Sequence, residues 1–170
     1  MKNLNFSILG TCVSRDSFSI PKDINYDPNY NFAIKQYVFA ETLSSLLSKK
    51  SNDCDILINE IDKVNLPNSL KRSYELMCKK ECFNFLFSTI PDYLVIDLTT
   101  FVFPTLYCDN TAYSSRLLRV IFNDVQNKGS IPLLTKLLDN QQVFEFKNEC
   151  DYLSKFKIMM QIILKTLFNP

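Results

Sequence analysis

Gly10 is one of only two glycines in a chain of 170 residues, and it directly follows the apolar run of residues 6–9. Because glycine gives the backbone freedom that a side chain denies, so rare a residue marks a point where the chain needs that freedom. Small polar residues follow, and then residues 13–18 have the pattern of a first helical turn. The sequence therefore predicts a strand over residues 4–9 that passes through a tight turn into a helix.

A second strand is predicted within residues 91–98, where Pro91-Asp92 introduces the near-continuous apolar run of residues 93–98. Such runs are typical of the buried strands of parallel sheets. We expect residues 4–9 and 93–98 to be adjacent parallel strands of an α/β fold, with their carboxyl ends at one edge. Ligands of open α/β sheets bind at that edge, so the turn after Gly10 is the predicted functional site.

The remaining segments are predicted mainly as helices. Residues 19–34 contain two prolines and several Asn and Asp residues, which favours a loop. Residues 34–49 suit a short strand or turn followed by a helix, and residues 55–64 are ambiguous. Apolar residues at three- and four-residue spacing predict helices over residues 67–89, 111–126, 131–138 and 148–168.

The chain ends two residues after the last predicted helix. A parallel sheet gains its next strand after such a helix, so we expect one shortened domain over residues 1–170, truncated at its C-terminus. A missing strand would leave apolar side chains partly exposed, which favours self-association. The side chains expected to be exposed in this way are Ile158, Met159, Ile162 and Leu167.

The absence of histidine removes the usual general base at neutral pH and the commonest metal ligand. A Ser-His-Asp or Cys-His mechanism confined to this chain is therefore excluded. Cys78 and Cys82 lie four residues apart on one predicted helix, but no second close pair of cysteines accompanies them. Helix packing is favoured over a metal site there, and we predict no metal or other cofactor.

Net charge and hydropathy argue against nucleic acid and membranes as partners. Nineteen basic and eighteen acidic residues leave a net charge of +1, which provides no field to attract nucleic acid or an anionic membrane. The longest apolar run, residues 158–168, is interrupted by Gln161 and Lys165 and is too short for a membrane span. Without a signal peptide, we expect a cytoplasmic protein whose six cysteines are mostly reduced.

The turn after Gly10 carries the candidate chemistry. Cys12 follows the predicted strand, where a helix N-terminus would favour its thiolate and make it a nucleophile. The alternative is that Cys12 is a small apolar residue packed under the turn. Ser14 and Asp16 are candidate catalytic residues, or they cap the free amides of the first helical turn. Arg15 is unfavourable at a helix N-terminus unless it pairs with a carboxylate or an anionic ligand.

Asp97 is the candidate carboxylate at the end of the second strand. It either pairs with Arg15 or orients a substrate hydroxyl beside Thr99 and Thr100, and both interpretations remain open. A single glycine cannot supply a phosphate-binding loop or a dinucleotide fingerprint, so no nucleotide cofactor is predicted.

Residues 6–18, Phe-Ser-Ile-Leu-Gly-Thr-Cys-Val-Ser-Arg-Asp-Ser-Phe, resemble the opening of a bacterial family of SGNH-hydrolase-like proteins. That family begins with a strand and Gly-Ser-Cys-Val-(Ser/Thr)-Arg-Asp, from which only Thr11 departs. Residues 91–98, Pro-Asp-Tyr-Leu-Val-Ile-Asp-Leu, look like the second block of the same family. The cysteine version of the opening is also similar to the Gly-Asn-Cys opening of capsule-polysaccharide enzymes of related fold.

The resemblance implies a flavodoxin-like SGNH three-layer fold with a parallel sheet, in which Cys12 stands at the nucleophile position. It also implies esterase or acyltransferase chemistry on surface glycans, with a glycan or a small acyl donor as partner. We predict catalytic roles for Cys12, Ser14 and Asp16. The predicted substrate-binding residues are Gly10, Thr11, Arg15, Asp97 and Thr99.

Two blocks of the family pattern differ in this chain. Residues 99–104 read Thr-Thr-Phe-Val-Phe-Pro where the family has an acidic residue followed by Arg-Phe-Gly, and the C-terminal Asp-x-x-His block is missing. We therefore expect a divergent SGNH-like protein that does not turn over substrate as this chain. The alternative is a non-catalytic binding or structural α/β protein that keeps the Arg15-Asp16 turn only for its fold.

Overall fold

The computed structural model describes residues 2–17, 30–99, 103–108, 110–139, 142–143 and 149–168. Within these ranges the chain is a mixed α/β structure. Its elements are β1 (Lys2–Gly10), α1 (Cys12–Asp16), β2 (Tyr30–Phe39), α2 (Leu43–Leu47), α3 (Cys54–Asp62), α4 (Asn68–Lys79), α5 (Cys82–Leu86), β3 (Tyr93–Ile96), β4 (Thr105–Cys108), β5 (Thr111–Ser114), α6 (Ser115–Asp124), α7 (Pro132–Leu138), β6 (Gln142–Val143) and α8 (Glu149–Phe168).

Three parallel strands in the order β2-β1-β3 form the sheet that carries the candidate site. β1 pairs along its length with β2, and its residues Phe6 to Leu9 pair with Tyr93 to Ile96 of β3. The prediction that the two strands are adjacent and parallel is thus confirmed. β3 ends two residues earlier than the sequence predicts, at Ile96.

β2 is longer than the sequence predicts. The predicted loop over residues 19–34 is wrong at its end, because β2 begins at Tyr30; residues 18–29 lie outside the described part. Asn31, which reads as a loop residue, instead donates from its side chain to Asn3 Oδ1 on β1, at 3.1 Å. The strand-then-helix prediction for residues 34–49 is confirmed by the end of β2 at Phe39 and by α2.

The two faces of the parallel sheet have separate apolar clusters, because side chains alternate along β1. Leu9 packs with Val38 of β2 and with residues of α5 and α8, including Leu86 and Met159. The opposite cluster is built from strand residues, namely Leu4, Phe6, Ile8, Phe32, Ile34, Tyr37 and Val95. α5 and α8 therefore cover one face of the strand that leads into the candidate turn.

A second, antiparallel sheet in the order β5-β4-β6 was not predicted. Residues 111–114, expected to begin a helix, form β5, and the helix α6 starts at Ser115. Asn110 enters β5 with a φ of 63°, a left-handed conformation that asparagine tolerates better than most residues. Ser114 Oγ accepts the Leu117 N–H, so this residue ends the strand and caps the helix.

The helix predicted over residues 67–89 is two helices. α4 ends at Lys79, the next residue, Lys80, has a φ of 60°, and α5 starts at Cys82. The Glu81 N–H then donates to Leu76 O at 3.0 Å, as at a helix end closed by a left-handed residue. Cys78 and Cys82 consequently lie on different helices and are buried in different apolar clusters, rather than on one helix face.

The other predicted helices agree more closely with the structure. The ambiguous residues 55–64 fall largely in α3, and the helices predicted over residues 131–138 and 148–168 are confirmed as α7 and α8. α3, α4, α6 and α7 surround the largest apolar cluster, which includes Leu57, Met77, Leu106 and Leu117.

α8 is only partly exposed where the sequence predicts exposure. Ile158 is 46% exposed, but Met159 is fully buried, so that part of the prediction is wrong. Ile162 is half-buried, and the side chain of Leu167 lies outside the described residues. Met159 is buried because it packs into the cluster of Leu9 and Val38. None of the described helices has both the length and the apolar character needed to cross a membrane.

Candidate functional site

The candidate site lies at the carboxyl edge of the parallel sheet, where β1 and β3 end side by side. β1 ends at Gly10, Thr11 continues in an extended conformation, and α1 begins at Cys12. Asp97 follows β3 directly, and its N–H donates to Leu9 O at 2.8 Å, which continues the pairing of the two strands. This pairing brings the side chain of Asp97 to the turn that carries Cys12.

The Asp97 carboxylate binds both the turn and the residues that follow β3. Its Oδ2 accepts hydrogen bonds from Thr11 N at 3.2 Å, Thr11 Oγ1 at 2.7 Å and Ser14 Oγ at 2.6 Å. Its Oδ1 accepts hydrogen bonds from Thr99 N at 3.0 Å and Thr99 Oγ1 at 2.5 Å. The structure thus brings together four of the predicted site residues. We call this set of Asp97, Thr11, Ser14 and Thr99 the Asp97 clasp.

The hydrogen bonds of the clasp also stabilise the charged form of the Asp97 carboxylate. Burial by itself would raise the pKa of Asp97, but the hydrogen bonds from Ser14, Thr99 and Thr11 outweigh it and hold the pKa well below its ordinary value. Asp97 is therefore an anion throughout the neutral range. An anion so strongly stabilised is a poor general base.

Arg15 forms its ion pair with the next residue. Its Nε lies 2.7 Å from Asp16 Oδ1, and both side chains are partly exposed. This hydrogen bond raises the pKa of Arg15 and lowers that of Asp16. The Arg15 guanidinium also lies 5.5 Å from the centre of the Tyr37 ring. Asp16, and not Asp97, is therefore the carboxylate that forms the ion pair with Arg15.

The Cys12 thiol is exposed, so it is not packed under the turn. By contrast, Cys54, Cys78 and Cys82 are buried, and burial raises the pKa of each of these thiols. Cys108 is half-buried, and the Cys150 side chain lies outside the described residues. The sequence prediction therefore selected the most accessible of the five described thiols.

No family model, curated protein or solved structure matches the chain.

Tyr37 is a site residue that the sequence does not indicate. It lies on β2 opposite Ile8 of β1, which places its ring beside Arg15. Within the described structure its hydroxyl is buried without a hydrogen-bond partner, and burial raises its pKa. The sequence does not indicate this role, because the place of Tyr37 next to β1 follows from the pairing of β1 with β2, which the sequence does not predict.

A cavity of about 320 Å³ lies elsewhere, between the connection after α3 and the connection after α6. Its lining includes Lys63, Asn65, Asp124 and Asn127, none of which is a predicted site residue. Among the side chains that the structure describes, no group of three or more His, Cys, Asp and Glu residues is arranged to hold a metal ion.

Proposed function

We propose that this chain is an SGNH-like domain with a flavodoxin-like three-layer fold, related to esterases and acyltransferases that act on surface glycans. Cys12 is its nucleophile, and the chain does not turn over substrate by itself. One observation carries the proposal: an exposed thiol on the first residue of the helix that follows the central strand of a parallel sheet. Thiols in such turns are suited to nucleophilic attack.

The chemistry would be acyl transfer to sulfur. The Cys12 thiolate attacks the ester carbonyl, a C–S bond forms, and the C–O bond of the ester breaks. The leaving alkoxide takes a proton from water, and a thioester remains on the protein. Release of the acyl group requires a base to activate water, which histidine usually provides.

The chain has no histidine, and the two described carboxylates of the site are unsuited to that second step. Asp97 is held as a stable anion by the clasp, and Asp16 is bound to Arg15, which lowers its pKa. These features support an acyl acceptor that is loaded once rather than an enzyme that turns over.

Incubation with p-nitrophenyl acetate tests this proposal. We expect one acetyl group per chain, located on Cys12 by peptide mass spectrometry, without continuing release of nitrophenol above background. Cys12→Ala should abolish the labelling, whereas Cys108→Ala, which removes the half-buried thiol of β4, should preserve it. A folded chain whose Cys12 accepts no acetyl group would refute the nucleophile role. Continuing turnover that disappears in Cys12→Ala would show an active esterase.

The alternative function is that of a non-catalytic binding or structural protein. The clasp favours it, because Thr11, Ser14 and Thr99 direct their hydroxyls to Asp97. Under this alternative Cys12→Ala would fold with unchanged stability, and the wild-type chain would not be acetylated.

A further inference from the structure

We infer that Asp97 is the positioning residue of Cys12: it fixes the turn from which the thiol projects, instead of contacting substrate. This inference rests on the proposed function, because it explains how Cys12 is held in place. It also reassigns Thr11, Ser14 and Thr99, which the sequence placed in catalysis or substrate binding, to supporting the turn.

The helix that carries Cys12 is not held by buried side chains of its own. α1 is only five residues long, and none of its residues is buried. Val13, which points away from the protein, is 71% exposed. Helices this short are unstable unless other contacts fix them. Contacts made by the polar side chains of α1 therefore determine where Cys12 lies.

Thr11 shows that the clasp replaces ordinary capping. Thr11 is the N-cap residue of α1, yet its side chain makes no capping hydrogen bond to the helix. Its hydroxyl and its N–H both donate to Asp97 Oδ2, which also accepts from Ser14 in the first turn of the helix. Asp97 thus binds the residues on both sides of Cys12.

The clasp requires a carboxylate. Each of the two oxygens accepts hydrogen bonds, Oδ2 from the turn and Oδ1 from Thr99. An asparagine has a single acceptor oxygen, so its NH₂ group would face either the Thr11 N–H or the Thr99 N–H. Asp97→Asn therefore removes hydrogen bonds on one side while keeping the size of the side chain.

Asp92 provides a matched control at the opposite edge of the sheet. Its Oδ2 accepts the Asn5 N–H at 2.8 Å, and its own N–H donates to Asn5 O at 2.9 Å. It therefore fastens the start of β3 to β1, as Asp97 fastens the end. Asp92→Asn makes the same change from carboxylate to amide at the other end of the same pair of strands, without touching the turn that carries Cys12.

The test compares the wild type with Asp97→Asn and Asp92→Asn by two measurements. The first is hydrogen exchange of the Thr11 and Thr99 amides, of which the one that faces the NH₂ group should exchange about tenfold faster in Asp97→Asn, since hydrogen bonds to charged groups are among the strongest in proteins. The second is the rate of Cys12 alkylation by iodoacetamide, relative to the same cysteine in the urea-denatured chain. In Asp97→Asn the rate of Cys12 alkylation should approach that of the denatured chain. Asp92→Asn should leave both the amide exchange and the alkylation rate unchanged.

Substitutions at Thr11 and Thr99 keep the inference testable if Asp97→Asn does not fold. Thr99→Val removes one donor to Oδ1 and should shift both measurements in the same direction by a smaller amount. Thr11→Ser keeps the hydroxyl and should behave as the wild type, whereas Thr11→Val should not. A general loss of stability would change the rate of Cys12 alkylation equally in Thr11→Ser and Thr11→Val.

Unchanged exchange at both Thr11 and Thr99 and an unchanged Cys12 rate in Asp97→Asn would overturn the inference. Equal changes in Asp92→Asn would overturn it as well, because they would reflect general loosening of the sheet. Failure of the proposed function looks different: Cys12 accepts no acetyl group in the wild type, while exchange at Thr11 or Thr99 still responds to Asp97→Asn.

Discussion

Gly10 lies so close to Asp97 that a Cβ atom added to residue 10 would be 2.7 Å from the Cβ of Asp97. The same added atom would lie 3.0 Å from Ser14 Oγ. Backbone torsion is not the reason for glycine here, since neither glycine has a positive φ. Residue 10 lacks a side chain because the side chains of Asp97 and Ser14 occupy its space.

Gly10→Ala should therefore destabilise the protein. The nearest atoms belong to Asp97 and Ser14 close to the backbone, so the turn itself must shift, at a cost of about 1–3 kcal/mol. Urea unfolding monitored by circular dichroism measures this cost. Gly129→Ala is the control, because its added Cβ would meet only the side-chain oxygen of Asn127, at 3.2 Å, and its effect should stay within about 0.5 kcal/mol. Equal effects at the two glycines would contradict the packing role of Gly10.

Asp97→Asn should remove a part of the stability that depends on pH. Hydrogen bonds from Ser14, Thr99 and Thr11 outweigh the effect of burial and keep the pKa of Asp97 below its ordinary value of 3.8. Because the pKa is lower in the folded state, the stabilisation is present above the unfolded-state pKa and is lost as the pH falls through the folded-state pKa.

Urea unfolding of the wild type and Asp97→Asn at several pH values measures this dependence. The wild type should be more stable by about 1–2 kcal/mol at pH 7, since the bonds involve a charged but partly exposed group. The difference should hold down to about pH 5 and shrink below about pH 4. A difference that persists unchanged at about pH 2 would show that the charge of Asp97 contributes nothing.

The turn and its carboxylate could be predicted because their signals are local. A scarce glycine after an apolar run, and an aspartate at the end of another, place Cys12 and Asp97 at one edge once the two strands are parallel. The partners of Asp97 could not be predicted, because hydroxyls and a guanidinium all lie within reach of that edge. Only the geometry shows that Arg15 binds Asp16 and that Asp97 binds the hydroxyls.

The missed elements are those in which tertiary pairing outweighs local pattern. β5 has only four residues and runs straight into the amphipathic α6, so helical spacing appeared to begin at Thr111. The break after α4 depends on Lys80 in a left-handed conformation that glycine or asparagine usually adopts. Lys80 is held there by hydrogen bonds from its Nζ to Ala112 O and Ser45 Oγ, which are distant in sequence.

Glu60→Gln should weaken the attachment of α7. Glu60 is buried on α3, and its Oε1 and Oε2 accept the N–H groups of Leu133 and Leu134, at 2.8 and 3.1 Å. These amides lie in the first turn of α7, whose N-cap residue makes no side-chain capping bond. Loss of the charge and of one acceptor should lower the free energy of unfolding by about 1–2 kcal/mol.

Glu75→Gln is the control for this loss of a carboxylate. Glu75 makes a partly exposed ion pair with Lys79 one helical turn away, and such pairs contribute at most about 0.5 kcal/mol. Thermal or urea unfolding of the two variants should therefore separate them. If Glu60→Gln is as mild as Glu75→Gln, the capping of α7 from α3 has no energetic importance.

Cys12 should be the first thiol alkylated by limiting iodoacetamide near neutral pH. It is exposed, whereas burial of Cys78 and Cys82 raises their pKa values and restricts access to them. Arg15 follows Cys12 by three residues on α1, so its cationic side chain neighbours the thiol on the helix surface. Arg15→Gln removes that cation and leaves the Asp16 carboxylate without its partner, so both effects should slow the alkylation of Cys12.

Arg72→Gln is the matched control for Arg15→Gln. The Arg72 guanidinium lies 5.7 Å from the centre of the Phe85 ring, much as Arg15 lies 5.5 Å from that of Tyr37, but it belongs to α4 and not to the turn. Peptide mass spectrometry of the folded chain should show slower labelling of Cys12 in Arg15→Gln and an unchanged rate in Arg72→Gln. If Cys12 is labelled only after denaturant is added, its thiol is inaccessible and cannot act as a nucleophile. If both arginine variants slow it equally, the loss of one positive charge anywhere on the protein explains the rate, and Arg15 has no specific effect on the thiolate.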